Sequence, residues 1–130
     1  KALKLDLDNV AFFDEIDPDE ILDLYRQCYA GIVSLDSRHK SHNIPGKFLT
    51  YMQCGLPVIA SVNPGNDLAA MVREKAVGEV SETGDPRDLA KGIEKLAQTV
   101  DTGDIRLRGM RLFAENFSAD AVVRSIVGHF

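Results

Sequence analysis

The stretch 44–60, Ile-Pro-Gly-Lys-Phe-Leu-Thr-Tyr-Met-Gln-Cys-Gly-Leu-Pro-Val-Ile-Ala, constrains the fold more than any other part of the chain. It reads as loop, helix, stop and buried strand. Pro45 suits the first helical position, where no amide donor is needed and φ is already near the helical value. Phe48, Leu49 and Met52 form one apolar stripe along that helix. Gly55 stops it, as the residue able to take φ > 0. Residues 56–60 are then a short apolar run of the kind buried on both faces of a parallel sheet.

The rest of the chain falls into step with this unit. Residues 9–13 (Asn-Val-Ala-Phe-Phe) are expected to form a short strand. Asp17-Pro18-Asp19-Glu20 is a helix start with an N-cap acid, a proline and Glu20 three residues on, as in a capping box. Ile21, Leu22, Tyr25 and Cys28 mark its buried face. Residues 29–35 form a second strand, and the polar loop 36–43 leads from it into the central helix. After the strand 56–60 come a turn-rich loop, 61–66, a helix over 67–75 and a short strand over 77–80. Asp85-Pro86 opens another helix, carrying Leu89, Ile93, Leu96 and Val100. Helices over 105–116 (Leu107, Met110, Phe113 and Phe117 in phase) and 118–127 (Val122, Val123, Ile126) complete the chain. Alternating strands and helices predict an α/β fold with a Rossmann-like parallel sheet and helices on both faces. In such sheets ligands bind outside the carboxyl ends of the strands. The loops 36–43 and 61–66 and the start of the central helix all lie at that edge.

The start of the central helix carries the chemistry. Lys47 and Thr50 share a face with Gly46, away from the apolar stripe. A lysine in the first turn sits badly with the helix macrodipole, which prefers anions there. The same free amides and positive end make a good phosphate site. From spacing alone two readings stand level: a phosphate site, or a solvated Lys47 with a Gly46 that only eases packing.

Composition excludes several classes. The net charge of −5, with no Lys/Arg cluster and no interleaved aromatics, argues against a nucleic-acid surface. No stretch is long and apolar enough to cross a bilayer. Hydrophobic content of 45% and charged content of 27% over 130 residues suit one ordinary globular domain. Cys28 and Cys54, isolated and without a framework, fit buried thiols in a reducing cytoplasm. His39, His42 and Asp36 invite a metal site, but a loop gives no fixed ligand spacing and no fourth ligand is evident, so no metal is expected.

Taken in order, "NVAFF", "PDEILDLYRQC", "YAGIVSL", "IPGKFLTYMQCGLPVIAS", "NPGNDLA", "VGEV" and "GDPRDLA" resemble the nucleotide-sugar-binding C-terminal half of GT-B glycosyltransferases. The nearest group is family four, in particular bacterial enzymes of lipopolysaccharide, O-antigen or capsule assembly, and the resemblance covers 7–127. It implies a retaining transfer from a nucleoside diphosphate sugar, uridine-linked, in surface polysaccharide or lipopolysaccharide biosynthesis. On this resemblance the diphosphate sits on Gly46 and Lys47, and His42 and Lys47 are the candidate catalytic residues. The nucleoside lies near Asp14, Glu15, Ile16 and Thr50. The sugar faces His39, Asn43, Ile44, Gly65 and Asn66. No cofactor is implied beyond the nucleotide-sugar donor, which is substrate, and no metal.

Two departures accompany the resemblance. Many family members place two glutamates eight apart around this helix, and those positions here are His42 and Thr50. A branch with a Pro-Ser/Gly-Lys helix start also lacks the pair. The strand and glycine-bearing turn that open a full C-terminal half are not in this sequence. Residues 1–130 are therefore expected to be one partial domain without its acceptor-binding N-terminal domain, inactive alone. The acceptor would be a saccharide or lipid-linked saccharide. The full enzyme is expected in the cytoplasm, with peripheral association at the inner face of the bacterial inner membrane. The alternatives are a receiver-like signalling module, against which the absence of a lysine after 77–80 counts, and a nucleotide-sugar epimerase of the same fold.

Overall fold

The computed structural model describes residues 6–36, 38, 43–99 and 101–129. Their elements run α1 (Pro18–Gln27), β1 (Gly31–Ser34), α2 (Gly46–Gln53), β2 (Val58–Ser61), α3 (Asp67–Lys75), β3 (Gly78–Ser81), α4 (Pro86–Ala97), α5 (Gly103–Asn116) and α6 (Ala119–Val127). The strands form one parallel sheet in the order β1-β2-β3. Its register aligns Ile32 with Ile59 and Ile59 with Glu79. This is the α/β, Rossmann-like architecture that the alternating pattern predicts.

Strand periodicity divides the sheet into two faces. Val33, Val58 and Ala60 point to one face, where Phe48, Tyr51 and Met52 of α2 and Leu68, Ala69 and Val72 of α3 complete the main core. Helix α5 packs behind α2. A side chain at Gly109 would meet the Met52 sulfur at 3.2 Å, so the glycine permits that approach. The opposite face carries α4, whose Gly92 lies over Glu79 and Ile59. Strand β2 is buried on both faces, whereas Ile32 on β1 remains 47% exposed. Among the described residues the cover of the α4 face is thus incomplete beside β1.

Local signals explain most element bounds. The Asp17 side chain accepts from the Asp19 amide at 3.0 Å and starts α1. Gly55 takes φ +66 after α2, and the Leu56 amide then bonds back to the Tyr51 carbonyl at 2.8 Å. Pro45 is the N-cap of α2 and Gly46 its first helical residue, one position later than the proline pattern implies. Cys28 and Cys54 are free, the first half-buried and the second buried.

Three expectations need correction. Residues 9–13 form no strand: Phe12 and Phe13 are 74% and 83% exposed, and the described partner of β1 is β2 alone. A strand exists only through a ladder with a neighbour, which β-forming residues cannot supply by themselves. Helix α1 has the expected apolar face, but Ile21, Leu22, Tyr25 and Cys28 are only half-buried. At the end of the chain, α5 buries Gly109 and Leu112 while Leu107 and Met110 stay exposed, and α6 leaves Val122, Val123 and Ile126 exposed. The close contact at Gly109 chooses the buried side of α5. Val100 lies outside the described residues. Among those described, no helix is long and apolar enough to cross a membrane.

Candidate functional site

The three described strands end at the same edge of the sheet, at Ser34, Ser61 and Ser81. The ladder runs one residue past each end, with the Leu35 amide on the Ser61 carbonyl at 2.9 Å and the Val62 amide on the Ser81 carbonyl at 3.0 Å. Helix α2 also starts at this edge, and its packing determines where its first turn points. Phe48 and Met52 are fully buried. Tyr51 donates to the Ile32 carbonyl at 3.3 Å and meets the Tyr25 ring edge-on. Burial pushes the Tyr51 phenol up to about 12, so it stays a neutral donor. With that face fixed on the sheet, Gly46 and Lys47 are left exposed on the other.

The first turn of α2 differs from the other helix starts. It has no side-chain cap and no acidic residue. Each of the other described helices carries an acid in its first turn: Asp19 and Glu20 in α1, Asp67 in α3, Asp88 in α4, Asp104 in α5 and Asp120 in α6. A side chain added at Gly46 would meet nothing within 4 Å. The glycine is therefore not demanded by packing against described neighbours. Thr50 is half-buried one turn on, and its hydroxyl donates to the Gly46 carbonyl at 3.2 Å. Its oxygen lone pairs can still accept a further hydrogen bond.

The loop after β2 is tied on both sides. The Asn63 side-chain amide donates to the Asp36 carbonyl at 3.3 Å, while Asp36 holds Arg38 through Oδ2 at 2.6 Å. Gly65 takes φ +75 and donates its amide to Glu82 Oε1 at 2.9 Å. Glu82 Oε2 accepts from Arg73 at 2.6 Å. The Arg73 guanidinium, aided by the Gly65 amide, holds the Glu82 carboxyl below its ordinary range. Asn66 is buried, and its Oδ1 caps α3 by accepting from the Leu68 amide at 2.9 Å.

The structure thus puts exposed Gly46 and Lys47 and half-buried Thr50 on one side of α2 and places Gly65 and Asn66 in the loop after β2. Asn43 is exposed just ahead of α2, and Ile44 packs on the core beneath it. Asp14 and Glu15 are exposed and Ile16 half-buried in the lead to α1; among the described residues no hydrogen bond joins them to α2. His39 and His42 lie outside the described residues, as do Ser37, Lys40 and Ser41. Among the described residues no group of three metal-ligating side chains gathers.

Sequence reasoning passed over Glu82 and Arg73. The available signal was positional: Glu82 directly follows β3, at the same edge as the loops. Both residues also border a cleft of about 430 Å³ between α4 and the ends of β2 and β3. Its charges are matched in pairs, Lys91 with Asp88 at 3.2 Å and Lys95 with Glu79 at 3.0 Å.

A family model described as glycosyl transferases, group 1, matches residues 1–99. Comparisons with curated proteins and with solved structures give no significant match.

Proposed function

The chain belongs to the group 1 glycosyl transferases, and from that membership we propose that residues 1–130 are the donor-binding domain of a retaining transferase using a UDP-linked sugar. The observation that carries this reading is the start of α2, where the only first turn among the described helices without an acid holds Gly46 and Lys47 instead. The Gly46 and Lys47 amides and the positive end of the helix suit a diphosphate, and Lys47 adds a positive charge on a flexible stem. Such an arrangement stabilises charge that grows on the leaving diphosphate as the glycosidic bond to it breaks. The positive charge is in place before reaction, so little reorganisation opposes the step.

In this reading Lys47 and the Gly46–Lys47 amides hold the diphosphate, and His42 joins Lys47 as the second catalytic candidate. The Thr50 hydroxyl oxygen takes a ribose hydroxyl, with Asp14, Glu15 and Ile16 toward the base. His39, Asn43, Ile44, Gly65 and Asn66 surround the sugar, with Ile44 and Asn66 acting through the shape of the loops they anchor. Helix amides and lysine supply the positive charge, so the proposal includes no cofactor or metal. The acceptor, a saccharide or lipid-linked saccharide, is presented by a second domain. Bacterial surface polysaccharide or lipopolysaccharide assembly, at the cytoplasmic face of the inner membrane, is the setting that best suits such an acceptor. Membership in the family stands against the receiver-like alternative.

The test is a titration with UDP and UDP-glucose, followed by calorimetry and amide chemical shifts. Binding is expected to move the amides of Gly46, Lys47 and Thr50. Lys47→Ala is expected to weaken UDP binding roughly tenfold, the size of one hydrogen bond to a charged group. Unchanged affinity in that variant would remove Lys47 from the site, and absence of binding by the unaltered chain would remove the donor-domain reading.

A further inference from the structure

We infer that Glu82 is a positioning residue for donor-sugar recognition, acting through the Gly65 amide on the loop 63–66; this rests on the donor-domain reading. Glu82 lies just beyond β3 and would not be expected to touch a donor held at the start of α2. Its two oxygens are nevertheless both committed. One receives the Gly65 amide at 2.9 Å and the other receives Arg73 of α3 at 2.6 Å. The carboxylate is therefore wedged between the loop and the helix that the loop enters. On the far side, Asn63 reaches the Asp36 carbonyl at 3.3 Å. A continuous line of contacts thus runs from the end of β3, through residues 63–66, to the loop that follows β1.

The form of the loop indicates what this line is for. Gly65 has φ +75, and a side chain there would meet nothing within 4 Å. Its outer side is open, while the loop is anchored at its ends by buried Val62 and Asn66. The left-handed turn itself is held by hydrogen bonds, the Asn66 amide on the Asn63 carbonyl at 3.2 Å and the Gly65 amide on Glu82, and the bond to Glu82 is charge-assisted and stronger than a neutral one. Removing it frees the backbone that faces the sugar and leaves the first turn of α2 as it is. A purely structural ion pair would act on stability alone. A positioning residue alters discrimination between the nucleotide and its sugar conjugate.

The experiment measures UDP and UDP-glucose affinities for the 130-residue chain and for Glu82→Ala, Glu82→Gln and Arg73→Ala, with the Gly65 and Asn66 amide shifts alongside. Glu82→Ala is expected to weaken UDP-glucose about tenfold, one charged hydrogen bond, and to change UDP by less than about twofold. Glu82→Gln keeps an oxygen for the Gly65 amide and is expected to restore most of the difference. Arg73→Ala, which leaves Glu82 on Gly65 but loosens it, is expected to fall between the two, and it also serves should Glu82→Ala fail to fold. Equal weakening of both ligands, or no change in either, overturns the positioning role. If the unaltered chain binds neither UDP nor UDP-glucose, the donor-domain reading fails first and the role falls with it. That outcome is distinct from normal UDP binding without a change in sugar preference.

Discussion

Helices α2 and α4 both begin beside a proline, and the two starts are built in opposite ways. At α4 the Asp85 side chain caps the Arg87 amide at 2.8 Å and receives the Arg87 guanidinium at 2.8 Å. Asp88 accepts the Thr83 hydroxyl at 2.6 Å and pairs with Lys91 at 3.2 Å. The dipole of that helix is answered by its own carboxylates. At α2 the N-cap is Pro45, which has no side-chain acceptor, and Lys47 adds charge of the wrong sign. The other ends reverse the contrast. Helix α2 buries Phe48, Tyr51 and Met52, whereas α4 buries Leu96 alone. One helix is secured by its start, the other by its core face. A helix anchored by its core can leave its first turn open to an outside anion, and a candidate site is then expected where local rules are broken and packing compensates.

The largest effect that could break this comparison is in the core. Phe48→Ala removes a side chain with no exposure and is expected to cost about 3–5 kcal/mol of unfolding free energy by urea denaturation. Opening α4 by Asp85→Ala should cost clearly less. If the two variants lose similar stability, α2 is not held by its buried face and the account of its open start fails.

How much of this was legible in the sequence follows the same division between local and distant causes. The caps at Asp17 and Asp85, and the bounds of α3 at 67–75, depend on residues within a few positions and were readable. So were the turn at Gly55 and the placing of Gly46, Lys47 and Thr50 together, because helical spacing alone puts them on one side. What failed depended on partners. Residues 9–13 have the composition of a strand, but a strand needs a neighbour to share its ladder. Of the stripe Leu107, Met110, Phe113 and Phe117, the two phenylalanines pack against the core as expected, yet Leu107 and Met110 stay exposed, because Met52 beside Gly109 turns the Leu112 side inward. The Glu82–Gly65 bond spans 17 residues and joins two loops, so no periodicity announces it.

A sharper test converts one helix start into the other. Pro45→Asp supplies α2 with the carboxylate that α4 has. The new cap adds about 1 kcal/mol, and loss of the proline ring removes about 0.4–1 kcal/mol by loosening the unfolded chain. Stability is thus expected to stay nearly level while UDP binding drops roughly tenfold or more, since an attached anion now takes the place of the diphosphate. Stronger or unaltered UDP binding in this variant would show that the open start of α2 is not where the anion goes.

The smallest expected effect lies at the closed start, and its signature is pH dependence. The Arg87 side chain, with the Arg87 amide, holds the Asp85 carboxyl below its ordinary value of 3.8. A carboxyl depressed by folding stabilises the native state fully above that ordinary value and loses the contribution as pH falls through the lower, folded one. Asp85→Asn keeps an oxygen to cap the helix but removes the titration. Thermal unfolding followed from about pH 6 to about pH 2 should therefore show a shallower acid decline in the variant, which starts slightly less stable near neutral pH and converges with the unaltered chain at the acid end. UDP affinity should be the same in both, because α4 offers its first turn to nothing outside itself. A parallel acid decline would mean that the Asp85–Arg87 pair is too solvated to matter, and the helix would then be held by Pro86 and the cap oxygen alone.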